Sequence, residues 1–220
     1  MRNHRDRIFA YGCWSAIINL FTVSVAVFWL CGATYAADPV RIVAIGDSLT
    51  AGYGLPPAQD FPTQLQAALQ EKGLNVTVEN AGVSGDTTAG GLERIDWAVG
   101  DGADFIVLEL GANDALRGIA PAVTRANLDQ ILKKIAEKNI PVFLTGMRAP
   151  PNMGKDYAAE FDRIFPELAA KYQTGYYPFF LQDVAAIPEL NQSDYIHPNA
   201  EGVKIIVDNM LPYVIKFINE

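Results

Sequence analysis

From residue 40 onward the chain alternates between two hydrophobic periods. Continuous apolar runs of strand length occur at residues 40–45, 104–110 and 140–145, and residues 75–79 alternate apolar and polar. Between these runs, apolar residues recur every three or four positions. Leu65, Ala68 and Leu69 share a face within 61–72, as do Leu128, Ile131, Leu132 and Ile135 within 121–138. The first period belongs to strands and the second to helices. Unbroken Val/Ile-rich runs mark parallel strands buried on both faces. Residues 87–99 read as a further helix with Asp86 as N-cap, and 121–138 as one opened by Pro121. Residues 157–172 read as a helix kinked at Pro166, residues 176–179 as a short last strand, and a helix follows Pro198. Alternating β and α units predict an α/β fold. It is a three-layer α/β/α sandwich, with a mostly parallel sheet of about five strands and helices on both faces.

The first 36 residues lie outside this alternation. Arg2, Arg5 and Arg7 make a basic start, and no charge follows Arg7 until Asp38. Thr34-Tyr35-Ala36 has small residues at the two positions a signal peptidase reads. Residues 1–36 are therefore expected to be a signal peptide cut after Ala36, with 37–220 as a single domain. The expected destination is outside the cytoplasm, periplasmic or secreted. The apolar stretch 8–31 exceeds an ordinary signal core of about 7–15 residues and is long enough to cross a bilayer. A retained N-terminal anchor, basic end inward, is the alternative.

Cleavage changes the composition in two ways. Cys13 and Cys31 both leave with the leader, so disulfides, a thiol nucleophile and cysteine metal sites are excluded from the exported chain. The leader also removes three arginines and one aspartate from 17 basic and 25 acidic residues; 14 and 24 remain, a net charge of −10. That balance opposes nucleic-acid binding. It also gives no attraction to an anionic membrane surface, so no stable membrane partner is expected after cleavage.

The first strand runs into Gly46-Asp47-Ser48-Leu49-Thr50-Ala51-Gly52-Tyr53-Gly54. Its glycines permit a tight turn, and a serine there sits at the carboxyl end of a strand, the edge where open α/β sheets place ligands. A serine hydroxyl is a weak nucleophile without an adjacent base. The single histidine beyond the leader is His197, in Asp194-Tyr195-Ile196-His197-Pro198. Asp194, three residues earlier in the same loop, is near enough to orient an imidazole. Each residue also has an ordinary reading. Ser48 can equally cap its own turn, His197 sit at the surface or cap the last helix, and Asp194 form a turn. Gly82 and Asn113, each following a strand, are equally a turn glycine and a side chain bonded to its own loop. No Gly-Lys-Ser/Thr phosphate loop and no complete dinucleotide fingerprint is present. One histidine without cysteine makes a zinc site improbable, so no metal or cofactor is expected.

Four blocks, Gly46-Asp47-Ser48-Leu49, Asn80-Ala81-Gly82, Gly111-Ala112-Asn113-Asp114 and Asp194 to His197, occur in one order. With them, the chain from about residue 40 to its end resembles the GDSL or SGNH hydrolases, and among these the bacterial secreted acyl thioesterases, lysophospholipases and arylesterases. The resemblance implies a flavodoxin-like strand order, 2-1-3-4-5, and a serine esterase that hydrolyses carboxylic esters and thioesters through an acyl-enzyme. It implies a triad of Ser48, Asp194 and His197, and an oxyanion hole from the Ser48 and Gly82 amides and the Asn113 side chain. Asp114 is expected to brace the Asn113 loop and Asp47 to be a turn residue; Ser84 and Ser193 have no evident base. The apolar loops at 118–121 and 147–153, with Ile119, Pro121, Pro150 and Met153, are expected to line an acyl groove. Small acyl esters or thioesters would be the partners. Two other functions fit the pattern: a polysaccharide or peptidoglycan O-acetyl esterase, and a noncatalytic lipid- or glycan-binding protein on the same fold.

Overall fold

The computed structural model describes residues 38–220, and the expected leader lies outside the described residues. The first apolar run becomes β1 (Val40–Gly46), followed at once by a single helical turn, α1 (Ser48–Ala51). Next come α2 (Phe61–Glu71), β2 (Val76–Gly82), α3 (Thr88–Val99), β3 (Phe105–Leu108) and the short α4 (Ala112–Leu116). Then follow α5 (Pro121–Glu137), β4 (Val142–Thr145), α6 (Lys155–Asp162), α7 (Ile164–Tyr172), β5 (Gly175–Tyr177) and α8 (Ala200–Ile218).

The five strands form one sheet in the order β2-β1-β3-β4-β5, and every neighbouring pair is parallel. This is the doubly wound arrangement, with α2 and α8 packed together on one side and α3, α5 and α7 on the other. Val43, Ala44 and Ile45 of β1 and Ile106 and Leu108 of β3 have no exposure, as expected for strands covered on both faces. The edge strand β2 stays half exposed.

Register fixes the working edge of the sheet. β1 pairs with β2 from Val40↔Val76 to Gly46↔Gly82, and with β3 as far as Ile45↔Leu108. The loops bearing Ser48, Gly82 and Asn113 therefore leave three adjacent strands at one end. Chain direction reverses between β1 and β3, the crevice where doubly wound folds bind ligands.

Three local expectations needed correction. The N-cap of α3 is Thr87, whose hydroxyl accepts from Gly90 N–H, because Asp86 is turned away into an ion pair with Arg94 at 2.6 Å. The helix expected over 157–172 is two helices broken at Arg163. Pro166 lies in the first turn of α7, and its missing N–H cannot bond the carbonyl four residues back. The last strand ends at Tyr177, short of 179.

Candidate active site

Ser48 opens α1 directly after β1. Asp47 caps that turn, its Oδ1 accepting from Leu49 N–H at 3.0 Å. Amides of a helix's first turn have no partner within the helix, so the Ser48 N–H points outward beside its own hydroxyl. The chain can make this sharp entry because Gly46 has no side chain. A Cβ there would lie 2.7 Å from Glu109 Oε2 and would collide with the Thr50 hydroxyl.

His197 arrives from the opposite end of the chain. Its Nε2 lies 2.9 Å from Ser48 Oγ, and its Nδ1 2.6 Å from Asp194 Oδ2. Asp194 Oδ1 accepts the backbone N–H groups of Ile196 and His197, each at 3.0 Å, so this aspartate orders both the loop and the ring. Burial pushes Asp194 up, but hydrogen bonds from the His197 ring and from these two amides outweigh it, bringing its pKa down to about 2. It is a carboxylate throughout the neutral range. Tyr53 packs on the His197 ring at 4.7 Å between centroids. Gln192 Nε2 donates to the carbonyls of Tyr53 (2.7 Å) and Pro198 (3.0 Å), tying the histidine loop to the serine loop.

The expected oxyanion donors are brought to the same edge, with two qualifications. Asn113 donates from Nδ2 to Asp47 Oδ2 at 3.0 Å, which commits one amide hydrogen and leaves the other. The Gly82 N–H is occupied by Asn80 Oδ1 at 3.0 Å. Gly82 also has a packing reason to be glycine, since a Cβ would strike the backbone of Ala51. Asp114 braces its loop as expected: buried, it accepts from Thr88 N–H (2.8 Å), Thr88 Oγ1 (2.5 Å) and Thr124 Oγ1 (3.1 Å), joining α4 to α3 and α5.

Of the expected groove residues, Ile119 accepts from the Tyr157 hydroxyl through its carbonyl at 2.8 Å. The Met153 methyl reaches Gly118, 3.4 Å from where a Cβ would stand, so the two apolar loops touch. Pro150 precedes a 3-10 turn at Pro151–Met153 and is half buried, while Pro121 is buried in the first turn of α5. Among the described residues, no group of three or more His, Cys, Asp or Glu is placed to hold a metal ion.

In the sequence Asp47 reads only as a turn residue, and Glu109, Thr50, Arg94 and Tyr53 carry no expected role. Asp47, Thr50 and Glu109 have no exposure at all. Arg94 holds the β1 and β2 ends together through the carbonyls of Gly46 (2.9 Å) and Ala81 (2.8 Å). One signal was visible: Glu109 is an acid inside an otherwise apolar run, where a charge is costly without a purpose.

A serine, an imidazole and a carboxylate hydrogen-bonded in line, beside unpaired donors at the carboxyl edge of a doubly wound sheet, define the serine hydrolase class. Comparison with known proteins narrows it: residues 44–205 match the GDSL-like lipase/acylhydrolase family, and the chain belongs to that family. It is 38% identical over 192 residues to an arylesterase of Vibrio mimicus, covering 87% of this chain and 95% of that one. It is 36% identical over 185 residues to the thioesterase 1/protease 1/lysophospholipase L1 of Escherichia coli K12, covering 84% and 86%. Among solved structures it resembles AlinE4, an SGNH-hydrolase family esterase, with 47% identity, a TM-score of 0.71, and coverage of 82% of this chain and 97% of that one.

Proposed function

We propose that this GDSL-family hydrolase cleaves carboxylic esters and thioesters through an acyl-enzyme on Ser48. The observation that carries the assignment of roles is the line Ser48 Oγ–His197 Nε2, 2.9 Å, and His197 Nδ1–Asp194, 2.6 Å. His197 takes the serine proton as Oγ attacks the carbonyl carbon, and returns it to the leaving alcohol or thiol. A water then repeats the sequence on the acyl-enzyme and frees the acid. Asp194 holds the ring and balances the imidazolium charge. The Ser48 N–H and the second amide hydrogen of Asn113 are the available oxyanion donors. Gly82 N–H joins them when the oxyanion outcompetes Asn80 for it, as a full charge can outcompete a neutral amide oxygen.

Ile119, Pro121, Pro150 and Met153 belong to the wall that takes the acyl chain. The meeting of the 118–121 and 150–153 loops through Met153 supports that reading. The names of the relatives support small esters, acyl thioesters and lysophospholipids as substrates. The basic start, long apolar run and Thr34-Tyr35-Ala36 support export, with the domain beginning at residue 37.

The test is a hydrolysis profile over p-nitrophenyl esters of increasing length, with acyl-CoA and lysophosphatidylcholine, beside a phosphonate ester that traps the nucleophile. Turnover across several chain lengths and a phosphonate adduct on Ser48 are expected. Activity confined to acetyl esters would replace the reading with an O-acetyl esterase, and folded protein inert to every ester would remove it.

A further inference from the structure

We propose that Glu109 is a positioning residue: as a neutral acid hydrogen-bonded to Asp47, it sets the oxyanion donors around Ser48. The proposal rests on the esterase reading for its effect on turnover, but not for the state of the proton.

Glu109 follows β3 and has no exposure. Its Oε2 accepts from Asp47 N–H at 3.3 Å and Thr50 Oγ1 at 2.9 Å, whereas its Oε1 is buried with no partner among the described residues. The carboxyl of Asp47, also without exposure, is near enough for its charge to act on Glu109. Two ionised carboxylates here would combine desolvation, an orphan oxygen and like-charge repulsion. One proton removes all three difficulties: Glu109 donates to Asp47 and ceases to repel it.

Among the described residues, no cation faces Glu109 to offer another solution. From β1 and α1 it meets Asp47 and Thr50. The guanidinium of Arg94, from α3, is committed to Asp86 and to the Gly46 and Ala81 carbonyls. From α4 comes Asn113, which is neutral and bonded to Asp47. From the last loop comes His197, which attracts Asp47. Burial first, then the charge of Asp47, push Glu109 well above the ordinary 4.5 of a glutamate. Burial raises Asp47 to about 6 against its donors, Leu49 N–H first and then Asn113. With those donors, Asp47 is the ionised partner at neutral pH and Glu109 keeps the proton.

The link to turnover is direct. The Asp47 carboxylate accepts Leu49 N–H on one side of Ser48 and Asn113 Nδ2 on the other, so its orientation fixes both ends of the oxyanion cradle. Glu109 holds Asp47 through the backbone and, as an acid, through the side chain. An ionised Glu109 would push Asp47 away and release Asn113.

Glu109→Gln and Glu109→Met separate this role from packing. Gln keeps the shape, accepts from Thr50 and Asp47 N–H, and donates to Asp47, but it cannot titrate; Met fills the space and does none of this. On an ester that wild type hydrolyses, Gln is expected to keep kcat within about threefold, whereas Met lowers it about 10–100-fold with KM within about threefold. Wild type should show the infrared carbonyl band of a buried neutral acid, lost in Gln. Stability supplies an activity-free readout. Above pH 4.5 the unfolded chain releases the Glu109 proton while the folded chain retains it, so wild type loses stability as pH rises toward the folded pKa. Gln has no such loss, so its Tm advantage should grow with pH over that window and vanish at acid pH. The proposal is overturned if Gln is as damaged as Met, if the Tm difference is independent of pH, or if the band is absent from wild type. Wild type inert to all esters would sink the esterase reading alone, since the band and the Tm difference still report the proton.

Discussion

On the nucleophile side of the site, Asp47, Thr50 and Glu109 are wholly buried, and Ser48 rests on a turn wedged into the end of the sheet. On the base side, the Asp194 carboxyl is 37% exposed, Tyr195 is 68% exposed, and the loop belongs to no strand or helix. Both sides are nevertheless ordered. The nucleophile is held by close packing in which even a methyl at Gly46 has no room. The base is held by hydrogen bonds: Gln192 N–H to the His197 carbonyl at 2.8 Å, two amides on Asp194 Oδ1, and Asn191 Nδ2 to the carbonyls of Val184 (2.8 Å) and Ile187 (2.7 Å). A packed support tolerates little change of volume, whereas a hydrogen-bonded one tolerates change wherever its donors and acceptors survive.

The largest expected effect tests whether the two sides act as one device. Ser48→Ala and His197→Ala should each cost about 10⁴-fold or more in kcat, and the double variant should be scarcely worse than either. Additive losses would mean the serine has a base other than His197. The pH profile sharpens the point. The Asp47 carboxylate, raised by burial to about 6, holds the Asn113 donor in place, so activity should fall on the acid side as Asp47 takes up a proton. Asp194, held down to about 2, stays ionised through that range, so the base side should add nothing to this limb. A rate unchanged through that range would show that the charge of Asp47 does not bear on the donors it holds.

A smaller loss probes the packed side alone. Asn113→Ala removes the donor braced by Asp47 and should lower kcat about 10²–10³-fold, with KM changed far less, because the donor acts on charge formed in the transition state. Turnover within a few-fold of wild type would reduce Asn113 to a brace for Asp47. It would also leave the oxyanion to the Ser48 and Gly82 amides.

The same contrast decides what was legible in the sequence. The base side is local: Asp194 and His197 are three residues apart, and their hydrogen bond follows from that spacing. The parallel sheet was legible because buried strands are uniformly apolar, as at residues 105–108. The supports beneath Ser48 were not, because they join Thr50 to Glu109 across 59 positions and Asp47 to Asn113 across 66. No periodicity predicts such a pair; only the register of β1 against β3 creates it. Thr87 displaced Asp86 as N-cap for a similar reason. Asp86 is drawn off by Arg94, a partner eight residues on, and the unclaimed hydroxyl takes the cap.

The smallest expected effect falls on the tolerant side. Tyr195 has φ of 58°, the left-handed region, and it is a bulky residue without glycine's freedom. The conformation is imposed from both flanks: Tyr195 N–H bonds the Gln192 carbonyl at 2.9 Å, and the next two amides close on Asp194. Asparagine reaches this region at lower cost, so Tyr195→Asn should relieve about 0.5–1 kcal/mol, a rise in Tm of about 1–4 °C for a domain this size. Because the flanking hydrogen bonds are backbone or belong to Asp194, the His197 ring should stay in place and kcat should remain within about twofold. Thermal melting and steady-state kinetics on the same preparation check both halves. A lower Tm would mean the exposed ring packs more than its exposure implies, and the contrast between a rigid and a tolerant side would fail there. A raised KM with unchanged Tm would instead place the ring against the substrate, at the mouth of the site.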